Sequence, residues 1–93
     1  MNKTDMSHIV SARVGIPSKL ALDAINATFE AIAKAMVSPD DGRVELRGFG
    51  TFFTKQRPAH EGHNPKTREV IQIPAKRVPF FRAGKDLKIL VEL

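Results

Sequence analysis

Two periods divide the chain. Met6, Ile9, Val10 and Val14 recur at helical spacing and predict a short amphipathic helix over 3–14. Asn2 or Thr4 can cap its start, and Gly15 stops it. Pro17-Ser18 opens a longer helix in which Ala21, Ile25, Thr28 or Phe29, Ile32 and Met36 form one stripe. Ala24, Ala27, Ala31 and Ala35 line a neighbouring face, small enough for another helix to approach closely. From Ser18 to Val37 this helix spans about 30 Å at 1.5 Å per residue. Ser38-Pro39-Asp40-Asp41-Gly42 ends it, because Pro and Gly punctuate and the acids suit a turn.

Beyond residue 42 the period falls to two. Arg43-Val44-Glu45-Leu46-Arg47 alternates as a half-buried strand does. Gly48-Phe49-Gly50 reads as a tight bend, and Thr51-Phe52-Phe53-Thr54-Lys55 as the partner strand. Val70-Ile71-Gln72-Ile73 is strand-like again, continued by Lys76-Arg77-Val78-Pro79-Phe80-Phe81. Gly84-Lys85 starts a last short helix with Leu87, Leu90 and Val91 as its expected buried positions. Helices followed by strands make an α+β chain. The polar stretch from Gln56 to Glu69 is long for a loop in so small a domain and adds almost nothing to a core. Roughly 75 residues remain to build one, a size at which oligomerisation is a common remedy. The alanine face of the long helix is a plausible dimer contact.

Composition narrows the chemistry. The 93 residues fit one domain, with 1–42 as a helical half for dimerisation and 43–93 as a β half with a last helix. Cys is absent, which excludes disulfides, thiol catalysis and thiolate metal sites. No apolar run reaches the roughly 18 residues of a membrane span. Met1-Asn2-Lys3-Thr4-Asp5 lacks the profile of a signal peptide, so an intracellular protein is expected. The net charge of +5 is uneven: residues 1–42 carry −1 and residues 43–93 carry +6. A near-neutral half joined to a basic one fits packing on one side and a polyanion on the other. A solvated basic face without a partner is the plainer alternative.

The sequence resembles the HU and integration host factor family of bacterial DNA-bending proteins. The resemblance rests on Met1-Asn2-Lys3-Thr4, Arg47-Gly48-Phe49-Gly50-Thr51-Phe52 and Gly62-His63-Asn64-Pro65-Lys66-Thr67. Ile73-Pro74-Ala75 and Val78-Pro79-Phe80-Phe81-Arg82-Ala83-Gly84-Lys85-Asp86-Leu87-Lys88 follow in the same order, so it covers essentially the whole chain. It implies an intertwined dimer with a helical base, a β-sheet saddle and two extended β-ribbon arms that wrap the DNA minor groove. The polar stretch within 55–74 then becomes an arm that lies on DNA. The family's nucleoid setting implies a cytoplasmic, nucleoid-associated protein.

Proteins that bend DNA through the minor groove insert apolar wedges between base steps. Pro65 is the candidate wedge, beside Asn64 at the arm tip. Asn-Pro is also an ordinary turn starter, and the spacing alone leaves both readings open. Lys55 and Arg57 are two apart on a strand and share a face. Arg47 resembles a position that reaches the DNA flank in some members. Lys76, Arg77, Arg82, Lys85 and Lys88 give residues 75–88 a net +4, the densest charge in the chain. Lys85 in a first helical turn opposes the helix dipole, which fits a phosphate held there. Lys3 at the first helix start invites the same argument, against plain solvation. Lys66 and Arg68 complete the candidate DNA contacts at the tip.

The chain departs from the family pattern in the arm. His60 and His63 stand where arginines are common, Pro58 interrupts the strand, and Arg68 replaces a glycine, which strains the tip if the turn needs φ > 0. Residues 54–74 carry only +2 with neutral histidines and +4 with both protonated. Histidine as a residue type titrates at about 6.5, so DNA affinity is expected to rise as the medium acidifies. His60-x-x-His63 as half a metal site lacks further ligands, and neither metal nor cofactor is expected.

The leading function is a non-enzymatic architectural protein that bends or compacts duplex DNA. Bent, nicked or gapped DNA should be preferred, because less deformation is then needed. The alternatives are a paralogue of the same fold acting mainly in protein–protein assembly, and RNA or junction binding by the same basic surface. Ser7-His8 and Ser11 lack orienting partners, and no glycine-rich phosphate loop is present, which argues against an enzyme. A homodimer is expected, with a heterodimer as the alternative. No membrane or small-molecule partner is expected.

Overall fold

The computed structural model describes residues 1–40 and 42–92, so the part of the 38–42 turn at Asp41 lies outside the described residues. Two helices come first, α1 (Lys3–Val14) and α2 (Ser18–Val37). The strands β1 (Val44–Leu46), β2 (Gly50–Arg57), β3 (His60–His63), β4 (Val70–Ile73) and β5 (Lys76–Ala83) follow, then α3 (Lys85–Glu92). This is the α+β order read from the periodicity. Of the two candidate caps for α1, Asn2 is the one used. Its Oδ1 accepts from the Asp5 N–H at 2.9 Å, and its own N–H donates to Asp5 Oδ2 at 3.0 Å.

Among the described residues the buried side chains are small or medium: Ser7, Ala21 and Ile25. The Ser7 hydroxyl donates to the Thr4 carbonyl at 2.6 Å, so its burial leaves no orphaned group. The stripe read on α1 divides in the structure. Met6 and Val10 face the α2 hollow lined by Ala24, Ile25, Thr28 and Phe29, whereas Ile9 and Val14 are exposed. The expected burial along α3 also needs correcting, since Leu87 is half-buried but Leu90 and Val91 are 67% and 78% exposed. An eight-residue helix at the end of an extended chain meets too little of its own chain to cover them.

The strands form two separate sheets, one of order β1-β2-β5 and a two-stranded ribbon β3-β4. Both are antiparallel throughout. The β2–β5 ladder runs from Gly50↔Ala83 to Arg57↔Lys76, so β2 is longer than the sequence pattern gave. Pro58-Ala59 and Pro74-Ala75 then break both strands at the same level. Proline cannot donate to a ladder, and the paired breaks separate the arm from the body. The strand read as continuing from Val70 to Phe81 is therefore two strands.

The resulting shape is long. The chain measures 57 × 31 × 29 Å with a radius of gyration of 18.7 Å, against about 12 Å for a compact chain of this length. Its accessible surface is 7756 Å², roughly 2,400 Å² more than a globular monomer of its mass exposes. No helix is long and apolar enough to cross a membrane among the described residues.

Candidate nucleic-acid interface

Residues paired directly across an antiparallel ladder share a face. The pairs Thr51↔Arg82, Phe53↔Phe80, Lys55↔Val78 and Arg57↔Lys76 therefore occupy one face of the β2–β5 ribbon. Phe52↔Phe81, Thr54↔Pro79 and Gln56↔Arg77 occupy the other. The second face looks toward α2, where Thr54, Arg77 and Pro79 line a hollow with Ala33, Met36 and Val37. The first face carries Lys55, Arg57, Lys76 and Arg82, all exposed. The ion pair found among the described residues, Arg43 to Glu45 at 2.9 Å, lies on another element. The four cations thus present concentrated positive charge with no acidic side chain among the described residues within ion-pair distance.

Two phenylalanines sit among them. The Phe53 and Phe80 rings stack at 5.8 Å and 20°. Lys55 Nζ lies 5.2 Å from the Phe80 centroid, Arg57 lies 5.8 Å from it, and Arg82 lies 5.4 Å from that of Phe53. Cation–π contacts of this kind hold long side chains over the sheet instead of leaving them free in solvent. Sequence reasoning did not single out these rings. The signal was available, because in Phe52-Phe53 and Phe80-Phe81 adjacent aromatics on a strand must point to opposite faces.

Arg77 requires a correction. Its guanidinium donates to the carbonyls of Val37 at 3.2 Å, Met36 at 3.1 Å and Ser38 at 3.2 Å, and to Thr54 Oγ1 at 2.8 Å. It caps the C-terminus of α2, where orphaned carbonyls and the helix dipole both favour a cation. The register places it on the helix side, away from the four outward cations. Gly42 closes over this cap with φ +62°, and a Cβ there would collide with Arg77 Nη2 and Thr54 Oγ1. Replacing Arg77 by Ala should lower the melting temperature by about 5–10 °C, the effect of losing about 1–2 kcal/mol in a domain of this size. Arg77→Lys should recover only part of this, since an ammonium lacks the planar fork. Differential scanning calorimetry of the three proteins measures both.

The arm divides by the same rule. His60 and Gly62 share a face with Ile73 and Ile71, and Glu61 and His63 share the other with Gln72 and Val70. The two imidazoles therefore lie on opposite faces and do not converge as metal ligands would. His60 Nδ1 lies 3.2 Å from the Pro58 carbonyl. At the tip, Asn64 Oδ1 accepts from the Lys66 N–H at 3.0 Å, and the Arg68 N–H donates to the Asn64 carbonyl at 2.7 Å. This Asx turn sets Pro65 at the apex, exposed, with Lys66 and Arg68 exposed beside it. Arg68 adopts φ +60°, the left-handed conformation that the missing glycine foreshadowed, at a cost of about 1–2 kcal/mol.

The remaining candidates are scattered. Lys3 lies in the first turn of α1, its Nζ 5.7 Å from the Phe29 ring. Arg47 stands exposed at the β1–β2 bend, and Lys85 and Lys88 are exposed on α3. The structure thus brings Lys55, Arg57, Lys76 and Arg82 onto one face and Pro65, Lys66 and Arg68 to one tip. It sets Lys3 on the helical base.

Comparison with known proteins adds a second kind of finding. The sequence profile of a family described as bacterial DNA-binding protein matches residues 1–92. The chain is 43% identical over 88 residues to DNA-binding protein HU-1 of Halalkalibacterium halodurans, covering 95% of this chain and 96% of that one. It is 41% identical over 92 residues to DNA-binding protein HU of Geobacillus stearothermophilus, covering 99% and 100%. An Anabaena HU–DNA cocrystal structure superposes with a TM-score of 0.89 at 42% identity, covering 98% of this chain and 97% of the other.

Proposed function

The chain belongs to the bacterial DNA-binding protein family that includes HU, and from that premise we propose that it bends duplex DNA as a dimer. It is a non-enzymatic, architectural DNA-binding protein of the HU type. The observation that carries the bending mechanism is the segregation of Lys55, Arg57, Lys76 and Arg82 onto the outward face of the ribbon that leads into the arm. Phosphates rest against these cations, and counterion release supplies affinity without regard to sequence. The arm follows the minor groove, and Pro65 enters a base step at its apex. Unstacking there costs a few kcal/mol and gains a bend that brings more phosphate to the protein. Arg47, Lys66, Arg68, Lys85 and Lys88 extend the phosphate track beyond the ribbon, and His60, His63 and Asn64 meet the groove from the arm. Lys3 contributes at the edge of the helical base.

The surface supports a dimer. The excess of roughly 2,400 Å² over a globular monomer is comparable to what obligate dimers hide. Phe29, Phe81, Leu90 and Val91 are among the exposed apolar side chains, and a second copy of the chain would cover them. Such a dimer carries two arms, and the likeness to HU supports a role on nucleoid DNA in the cytoplasm. DNA that is already bent, nicked or gapped requires less deformation and is preferred.

The test is end-to-end fluorescence transfer on a duplex of about 35 base pairs, long enough for two arms, titrated with protein at low salt. Transfer should rise and saturate at two chains per duplex. Binding without added transfer would leave only a phosphate coat. An absence of binding would turn the assignment toward a protein-assembly paralogue.

Histidine as a residue type gains charge on acidification, and on this reading His60 and His63 meet phosphates along the arm. Duplex affinity should rise several-fold between about pH 8 and pH 6, with a steeper salt dependence at the acid end. Fluorescence anisotropy on a His60→Ala/His63→Ala double variant should give a nearly flat profile. A profile as steep as the parent's would assign the effect elsewhere.

A further inference from the structure

We propose that Phe53 and Phe80 form a stacking platform for unpaired DNA bases on the floor of the saddle. This deepens the DNA-binding reading by assigning a ligand to a site that duplex phosphates do not use. Four observations support it. The two rings are cross-strand partners on the ladder face opposite that of Thr54, Arg77 and Pro79, with Phe80 also bordering a hollow beside Ile32 and Met36 of α2. They lie near-parallel at 20°, whereas Phe49–Phe81 and Phe52–Phe81, the latter pair on the helix side, are tilted at 52° and 50°. Both rings are only half-buried. Lys55, Arg57 and Arg82 stand 5.2 to 5.8 Å from their centroids.

Aromatic planes among cations are what single-stranded nucleic acid requires. Each base offers a π-face to a ring while its phosphates meet the flanking charges. An intact duplex hides its base faces in the stack and meets this floor through its backbone only. A gapped duplex exposes them. In a sheet with one solvated face the outward positions are normally polar, so two phenylalanines there need an apolar partner. An unpaired base meets that need and fits the surrounding charge.

The experiment compares an intact duplex of about 35 base pairs with the same duplex carrying a four-thymidine single-stranded gap. Binding to each is measured by anisotropy at one salt concentration, for the parent and for Phe53→Leu/Phe80→Leu. Leucine keeps the apolar character and removes the π-face. The parent should favour the gapped duplex, and in the double variant the ratio of gapped to intact affinity should fall by roughly 10-fold for each base stacked, a ratio in which any loss of cation–π support for Lys55, Arg57 and Arg82 cancels. An equal gapped-to-intact ratio in the two proteins would overturn the platform. Should the variant fail to fold, the parent's phenylalanine ring resonances, followed by NMR during titration with a thymidine oligonucleotide, decide instead. Upfield shifts at Phe53 and Phe80, but not at Phe52, support the platform, and unshifted rings refute it. A parent that shifts these rings but binds no intact duplex would remove the bending mechanism and leave the platform standing. Duplex bending without ring shifts would do the reverse.

Discussion

Replacing Lys55, Arg57, Lys76 and Arg82 together by Gln is expected to lower duplex affinity by about 1,000-fold or more near 100 mM salt. The dimer would lose four cations per chain from the face that the ladder register turns outward. Each phosphate contact removed reduces the slope of log affinity against log salt by about one, so the variant's slope should be shallower by roughly four to seven. Folding should survive, because these side chains are exposed and none belongs to an ion pair among the described residues. Two controls sharpen the result. Lys19→Gln/Lys34→Gln on α2 removes as much charge per substitution from the helical half and should leave the slope within about one. Arg77→Gln should weaken the fold but not the slope, since its guanidinium is bound to the carbonyls of Met36, Val37 and Ser38. Salt titrations of the four proteins suffice. A parental slope in the quadruple variant would remove the ribbon from the interface.

Pro65→Ala should separate binding from bending. The apex turn is held by Asn64 Oδ1 accepting from the Lys66 N–H and by the Arg68 N–H donating to the Asn64 carbonyl, so the tip keeps its shape without the proline ring. The wedge is what disappears. Without it the base step stays stacked, the kink is not made, and the flanking DNA does not fold back onto the saddle. At saturating protein the transfer signal should fall by more than half, while affinity falls only about 10-fold because the phosphate contacts remain. Full bending by the variant would make Pro65 a turn former and nothing more. The strained φ of +60° at Arg68 bears on the same tip. Strain there persists because the Asn64–Arg68 and Asn64–Glu69 backbone bonds close the turn regardless of the residue placed at 68.

Much of this was legible without coordinates. The 3.6 period of residues 3–37, the change to period two after Gly42 and the Pro/Gly punctuation determine the elements, because these patterns are local consequences of backbone geometry. The charge asymmetry between the halves is a property of composition, and the apex at Asn64-Pro65 and the strain at Arg68 follow from turn chemistry. Other assignments failed where a residue's neighbour is distant in sequence. Arg77 read as one more cation in a basic run, yet its partners lie about forty residues earlier, at the end of α2. Leu90 and Val91 read as core, yet their helix meets little of its own chain.

The sequence alone thus determined the order of elements, the basic half, the tip and the family resemblance, all of which depend on residue identity and on neighbours a few positions away. Tertiary structure decided which cations share a face. Alternation says that Lys55 and Arg57 share a face but not whether Lys76 and Arg82 join them. The antiparallel register fixes that, and a slip of one residue would instead have placed Arg77 beside Arg57. The same register brings Phe53 against Phe80 and sends Arg77 back to cap α2. Pairing of β2 with β5 joins residues from 19 positions apart at Arg57↔Lys76 to 33 at Gly50↔Ala83, and no local pattern encodes which of two adjacent residues will face the helix.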